Sequence, residues 1–442
     1  MAQDQILLTP HQRSVVTKGV AYLKEDNHRI LLIQGSAGTG KTTLVHTLVS
    51  ELSHELSAKK DRTYSVVMTA PTHKAVEVLR QKNSDEDNIY TEFCTLHSAL
   101  RLKYSIDEDK GIEKYIPDPS IRERKLSGAT ILVIDEASMI GTDLLHYIDL
   151  SLEDNKLLKV IFIGDNKQLP PVNEPSYISP IFNQGYKQLG LTEIIRQAAE
   201  NPIIPLSNNI YQLNSYTDNT TQEGLGYSFT KDTQKIIRYF VQNRHDTDIR
   251  FLAYTNKRVE EFNKLVRHEI YDRPSKIELG ETIIIDRSYQ VDRDIIFNNN
   301  EEVKIKSSEV YEIDFEYPID KKDNTDSVLL KVYIVNGCLP IIHEDSEFLF
   351  LDILDQLKRK AKNKDLFWKD YYQTRNSFAV FKHRYALTIH KAQGSTYREV
   401  YLDYDDINKN PVLEEKKKLI YTAITRASKH LTVLTSRLKD GK

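Results

Sequence analysis

The chain of 442 residues carries 61 basic and 64 acidic side chains, a formal net charge of −3, and this near balance neither requires nor forbids a nucleic-acid partner, because an acidic surface can still hold a basic groove. Its two cysteines, Cys94 and Cys338, are far apart and lack CxxC or Cys/His spacing, which argues against a disulfide framework or a zinc site. No unbroken apolar run approaches membrane-spanning length and Met1 to Leu7 lacks the basic-then-apolar order of a signal peptide, so a soluble, intracellular (cytoplasmic) protein with no membrane partner is expected, with about two to four domains.

Leu8-Thr9-Pro10-His11-Gln12 opens a helical pattern through Val15, Val16 and Val20. Gln12 either reads adenine through an amide that donates and accepts, or is an ordinary helix-start glutamine. The apolar run Ile30 to Ile33 then leads into Gly35-Ser36-Ala37-Gly38-Thr39-Gly40-Lys41-Thr42, and Leu44, Val45, Leu48, Val49 and Leu52 follow at helical spacing. Strand, glycine loop and helix in this order make a phosphate-binding P-loop. Glycines let backbone N–H groups wrap a polyphosphate, Lys41 reaches its β- and γ-phosphates, and the Thr42 hydroxyl is a Mg²⁺ ligand.

Ser65 to Ala70 is a strand running into Pro71-Thr72-His73-Lys74-Ala75, where Thr72 and His73 either contact a phosphate backbone or begin a capped helix; Thr95-Leu96-His97-Ser98 has similar character. The charged stretch Tyr104 to Tyr115, with a turn near Lys110-Gly111, reads as a protruding hairpin with disorder as the rival. Thr130 to Ile134 is a buried strand ending in Asp135-Glu136, where Asp135 can hold the Mg²⁺ shell and Glu136 can orient and deprotonate the attacking water. Val160 to Ile163 leads to Gly164-Asp165-Asn166-Lys167-Gln168, placing Gln168 near the γ-phosphate. Arg196 follows the apolar residues Ile194 and Ile195, a position whose default role is a surface salt bridge.

A second α/β unit begins at Arg250 to Tyr254 and is interrupted by β-type patterns over 286–317 and 328–335, suggesting a small barrel or meander. A charged helical segment, Glu347 to Lys362, and an aromatic group of Phe367, Trp368, Tyr371 and Tyr372 come next. The α/β pattern resumes at Tyr385 to Ile389, runs into His390-Lys391-Ala392-Gln393-Gly394-Ser395-Thr396, and continues through a helix carrying Tyr421 to Arg426; Arg426 suits a guanidinium inserted at an interface.

This ordered set resembles the motif series of superfamily 1 helicases, and Ala70-Pro71-Thr72-His73, Leu96-His97-Ser98 and Ile296-Phe297-Asn298-Asn299 are similar to its Dda- and RecD-like 5′→3′ (1B) subgroup. The resemblance implies an α/β protein of two RecA-like P-loop NTPase domains with parallel sheets, a small pin-bearing insertion, and a β-rich insertion like a Src-homology-3 domain. The implied division is 1A over 1–98 and 127–190, 1B over 99–126, 2A over 191–285 and 384–442, and 2B over 286–383. ATP would lie between the two main domains, with Mg²⁺ on Thr42 and Asp135. Gln12, Gly35 to Lys41, Thr42, Thr43 and Gly394 would bind the nucleotide, and Lys41, Glu136, Gln168, Arg196 and Arg426 would carry hydrolysis. Pro71, Thr72, His73, His97, His390, Lys391 and Thr396 would grip DNA. Asp107, Glu108 and Asp109 depart from an aromatic-tipped pin, with Tyr104 and Tyr115 as the aromatic candidates. The implied function is an ATP-dependent helicase moving 5′→3′ on single-stranded DNA and opening forked duplexes as a monomer, with single-strand-binding or replication proteins among its partners. An RNA helicase and an ATP-switched binding module without unwinding are the alternatives; the full hydrolytic set argues against the latter.

Overall fold

The computed structural model describes residues 8–60, 65–81, 90–120, 125–171, 174, 176–195, 200–291 and 294–438. In chain order its first half holds β1 (Ile30–Gly35), β2 (Ser65–Ala70), β3 (Tyr90–Thr95), an antiparallel hairpin of β4 (Leu102–Asp107) and β5 (Ile112–Pro117), then β6 (Ile131–Ile134), β7 (Lys159–Gly164) and β8 (Lys187–Leu191). Six of these form one sheet in the order β3-β2-β6-β7-β1-β8, with every pairing parallel. Parallel strands covered on both faces need apolar side chains in both directions, which explains the continuous Ile131-Leu132-Val133-Ile134 run. Leu31, Ile33, Val133 and Ile161 pack against the helices Pro10–Leu23 and Lys41–Lys60. Leu32, Leu132, Ile134 and Phe162 point the other way, onto the helix Thr142–Asp154.

Parallel pairing has a direct consequence for function. The loops after β1, β2, β3, β6 and β7 all leave from one edge of the sheet, so the P-loop, Pro71-Thr72-His73, Leu96-His97, Asp135-Glu136 and Asp165 to Gln168 converge there.

The second half holds β9 (Asn219–Thr220), β10 (Gly226–Thr230) and β11 (Ile249–Ala253). An excursion follows: β12 (Thr282–Ile285), β13 (Tyr289–Val291), β14 (Asp294–Phe297), β15 (Glu302–Lys304), β16 (Ser308–Pro318), β17 (Thr325–Val335), β18 (Leu339–Ile342), the helices Glu344–Lys362 and Trp368–Arg375, and β19 (Phe381–His383). The chain then adds β20 (Ala386–Thr388), β21 (Tyr397–Asp403) and β22 (Ala427–Leu434). The second sheet runs β20-β11-β21-β22-β10-β9, parallel except for β9. The excursion forms small antiparallel sheets, β15-β12-β19, β13-β14 and β16-β17-β18. β12, which a boundary at 285 leaves with the second sheet, pairs instead with β15 and β19; its Ile283-Ile284-Ile285 run reads equally well as a parallel core strand, and only the antiparallel partners decide.

The hairpin exists, but Tyr104 and Tyr115 face each other across its strands rather than standing at its tip. The acidic tip is docked on the helix Trp368–Arg375. Glu108 accepts the N–H groups of Trp368 and Lys369 at 2.7 and 2.8 Å, the Tyr372 hydroxyl donates to the Gly111 carbonyl at 2.8 Å, and Arg375 pairs with Glu113. Gly111 holds φ 63° against the Trp368 indole, where a Cβ would collide with the ring. The aromatic group therefore serves as the hairpin's seat: Trp368, Tyr371 and Tyr372 share a cluster with Ile106.

Candidate nucleotide site and nucleic-acid groove

Gly38 and Gly40 take φ of 79° and 72°, the left-handed backbone that lets the P-loop fold over. Lys41 Nζ donates to the carbonyls of Gly35 and Ser36 at 2.7 and 3.0 Å, and the Thr39 hydroxyl closes the loop onto Ser36 at 2.8 Å. Gln12 is tied on both sides: its Oε1 accepts the Thr9 N–H at 2.9 Å, within a capping box, and its Nε2 donates to Thr39 O at 3.0 Å. In this arrangement its amide braces the P-loop. The segment before Arg196 lies on the loop, with the Ile195 N–H donating to Gly38 O at 3.0 Å; Arg196 itself falls outside the described residues.

Thr42 and Thr43 begin the helix Lys41–Lys60 and are half-buried. After β6, the Asp135 N–H donates to Thr69 O, and Asp135 Oδ1 accepts the Glu136 N–H at 2.8 Å. Glu136 holds a left-handed φ of 49°, a conformation that costs a non-glycine residue about 1–3 kcal/mol and is concentrated at functional sites. A hydroxyl and a carboxylate are the oxygen donors Mg²⁺ takes, and no group of three His, Cys, Asp or Glu that could hold a metal ion is found among the described residues, so a Mg²⁺ ion here would depend on phosphate and water for the rest of its shell. Gln168 is 5% exposed and its Oε1 is buried without a hydrogen-bond partner, an acceptor suited to the O–H of a water molecule.

The second sheet closes on this edge through the helix Leu413–Ile424. Lys418 Nζ donates to the carbonyls of Asn166 and of Gln168, the latter at 3.0 Å; the Leu169 N–H donates to Thr422 Oγ1 at 3.1 Å; and Gln393 Nε2 donates to Leu169 O at 2.8 Å. The Tyr421 hydroxyl donates to Asp165 Oδ2 and accepts the Ala37 N–H at 3.2 Å. Arg426 is buried, as its small-residue surroundings suggest, but it stays within its own domain, donating to Thr422 O at 3.2 Å and Ser395 O at 3.0 Å. The side chain that reaches the P-loop from this helix is Tyr421. Tyr421 and Gln393 stood inside motif segments, yet nothing in the spacing marks a tyrosine hydroxyl or a glutamine amide as a bridge to residues about 250 positions earlier.

A groove of about 550 Å³ runs beside this junction, lined from the first sheet by Thr72, His73 and Lys74 and from the second half by Asn298 to Glu302, Lys391, Gln393, Ser395 and Tyr397. Of the expected strand-gripping residues it gathers Thr72, His73 and Lys391; Gly394, expected at the nucleotide, lies beside Thr72. Thr72 also caps its helix, its Oγ1 accepting the Ala75 N–H at 3.2 Å. Lys74 Nζ stands 4.9 Å over the Tyr397 ring, joining the two walls. Lys391 is paired with Asp286, and burial holds its pKa below the ordinary lysine range. His97 lies elsewhere, with its ring 4.5 Å from that of Tyr115 on the hairpin. His390 faces Glu415 at 3.8 Å, and Pro71 and Thr396 do not line the groove. Burial lowers the pKa of His73, His97 and His390, with Glu301 opposing this at His73 and Glu415 at His390. Three basic side chains, Lys74, Arg80 and Lys391, and the Tyr397 ring in one groove suit a phosphodiester strand, against the three carboxylates Glu77, Glu301 and Glu302 that share its walls.

Two family models match in chain order: an AAA domain over residues 7–213 and a UvrD-like helicase C-terminal domain over residues 383–434. The chain is 28% identical to the ATP-dependent DNA helicase dda of Enterobacteria phage T4, over 95% of this chain and 97% of that protein. It is 26% identical to the RecBCD enzyme subunit RecD of Buchnera aphidicola, over 93% of this chain and 71% of that one. A Pif1 helicase from Bacteroides, solved with ADP-AlF3 and ssDNA, shares the fold at a TM-score of 0.50 and 16% identity, covering 97% of this chain and 92% of that one. No helix among the described residues is long and apolar enough to cross a membrane. The two matched models lie on the two parallel sheets, and the chain belongs to the superfamily 1B helicases related to Dda and RecD.

Proposed function

We propose that this ATP-dependent DNA helicase moves 5′→3′ along single-stranded DNA and opens forked duplexes as a monomer, its step set by closure of the two sheets around ATP. The observation that carries the reading is the shared junction: the Gln168 loop is clamped by the second sheet through Gln393, and Gln393 also lines the groove. Hydrolysis at the P-loop and strand grip in the groove therefore meet in one set of contacts.

In this reading the P-loop N–H groups and Lys41 bind the β- and γ-phosphates, and Glu136 orients the attacking water and takes its proton. Gln168 senses the γ-phosphate, and Arg196 and Arg426 offset the charge that develops on the transferring group. For Arg426 this requires its bonds to Thr422 and Ser395 to rearrange on closure. Mg²⁺ on Thr42 and Asp135 would neutralise phosphate charge. Thr72, His73 and Lys391 hold the strand backbone, joined as closure proceeds by Pro71, His97, His390 and Thr396. The four-part division into 1A, 1B, 2A and 2B is kept, with β12 moved to 2B. The β4/β5 hairpin divides the duplex, offering the Tyr104 and Tyr115 face beside His97 rather than its acidic tip; dda of phage T4 is named an ATP-dependent DNA helicase.

The test is unwinding of two duplexes, one with a 5′ and one with a 3′ single-stranded tail, in MgATP. Opening of the 5′-tailed substrate is expected; opening of the 3′-tailed substrate alone would overturn the polarity, and RNA-tailed substrates opened in preference would favour the RNA alternative.

A further inference from the structure

Tyr421 belongs to the second half of the chain, yet its hydroxyl is held by two groups of the first sheet, the Asp165 carboxylate and the Ala37 N–H of the P-loop. Tyr421 is 3% exposed and Asp165 2%, so the bond between them is shielded from bulk water, while the bond from the Ala37 N–H is partly buried. Burial, reinforced by Asp165, pushes the phenol's ionisation up, and the hydroxyl stays a donor. Because its proton goes to Asp165, its oxygen is free to accept from the loop. The residue thus ties the P-loop to the loop that carries Gln168.

That second loop is itself fastened to the groove. Gln393 lines the groove and donates to Leu169 O, while Thr422 and Lys418 take the Leu169 N–H and the carbonyls of Asn166 and Gln168. A continuous hydrogen-bonded path therefore runs from Gln393 through residues 165–169 and the Asp165 carboxylate to the Tyr421 hydroxyl and the Ala37 N–H. Neither Asp165 nor Tyr421 lines the groove.

We propose that Tyr421 is a positioning residue that transmits strand occupancy of the groove to the phosphate loop, acting through Asp165 and the Ala37 N–H. This rests on the reading of the chain as a DNA-stimulated ATPase. A strand that repositions Gln393 shifts the 165–169 loop, and the Tyr421 hydroxyl keeps the P-loop in register with Gln168 as it moves. Spatial continuity alone does not establish coupling; a double-mutant cycle does.

Tyr421→Phe keeps the ring and removes only the hydroxyl, and Asp165→Asn weakens the same tie from the other side. Steady-state ATPase is measured on the full chain in MgATP, with and without oligo(dT). Each variant is expected to lose about tenfold in DNA-saturated kcat, with KM for ATP within about threefold and a smaller change in the DNA-free rate, because a coupling of this kind spans about 5- to 150-fold. In the Asp165→Asn background, Tyr421→Phe should cost less than about threefold. Wild-type stimulation in Tyr421→Phe, or effects of the two substitutions that simply multiply, would overturn the proposal. If one variant fails to fold, as judged by its melting curve, the other decides by the same loss of stimulation. A wild-type chain whose ATPase ignores oligo(dT) would instead remove the functional reading itself.

Discussion

Replacing Glu108 by alanine should loosen the hairpin on its seat. Its carboxylate takes the two first-turn N–H groups of the helix Trp368–Arg375, which has no side-chain cap of its own, so one residue of the hairpin caps a helix more than 250 positions away. Loss of a cap costs about 1 kcal/mol, within a range of about 0.5–2. The exposed setting of Glu108 argues for the lower half of that range. The Tyr372 bond to Gly111 and the Arg375 pair with Glu113 remain, so the hairpin loosens without detaching. An opening free energy reduced by about 1 kcal/mol raises the undocked population about fivefold. Amide exchange at Trp368 and Lys369 should accelerate by that factor, while exchange in β6 and β7 stays as it was. If the hairpin is the element that divides the duplex, fork unwinding should slow severalfold while oligo(dT)-stimulated ATPase changes less than about twofold, since the P-loop and the groove are not touched. Unchanged exchange at Trp368 and Lys369 would refute the capping argument; equal losses of ATPase and unwinding would refute the separation of hairpin from motor.

Glu136→Gln should lower ATPase by about 10²- to 10⁴-fold while retaining ATP binding, measured by equilibrium dialysis, because the amide keeps the shape but cannot take a proton. Chelation with EDTA should abolish hydrolysis and excess Mg²⁺ restore it, as Thr42 and Asp135 require; hydrolysis that survives chelation would count against that assignment. Asp286→Asn should tighten oligo(dT) binding by releasing Lys391 from its ion pair, and steepen the salt dependence by about 0.7 in log–log slope; unaltered affinity would mean Lys391 does not meet the strand. His97 is held below the ordinary histidine range by burial, so the folded chain binds fewer protons than the unfolded one near pH 6. Its contribution is complete above about pH 6.5 and is lost as pH falls toward the depressed folded value, and His97→Gln should flatten Tm between about pH 7 and pH 5.

The sequence by itself determined the elements whose signal is local. An eight-residue glycine loop between an apolar strand and a helix reads as a P-loop, because backbone N–H geometry and the Lys41 reach depend on adjacent residues. The runs Ile30 to Ile33, Ile131 to Ile134 and Val160 to Ile163 read as buried strands, and the parallel sheet that the helicase resemblance implies brings their loops to one edge. The Tyr104 to Tyr115 hairpin was legible from its turn at Lys110-Gly111. What the tertiary structure decided is every role that depends on a partner distant in the chain. Gln12 has the chemistry to read a base, and its tertiary partners show that the same amide also braces the loop, bonding Thr9 and Thr39 with one donor and one acceptor left over. β12 has a core-strand sequence, but its antiparallel neighbours assign it to the excursion. The acidic hairpin tip gains its purpose from the uncapped helix it meets, and Tyr421 gains its own from Asp165 and Ala37. Motif spacing records which residues can do chemistry; a hydrogen bond between residues hundreds of positions apart leaves no periodicity behind, and only packing the two sheets edge to edge reveals it.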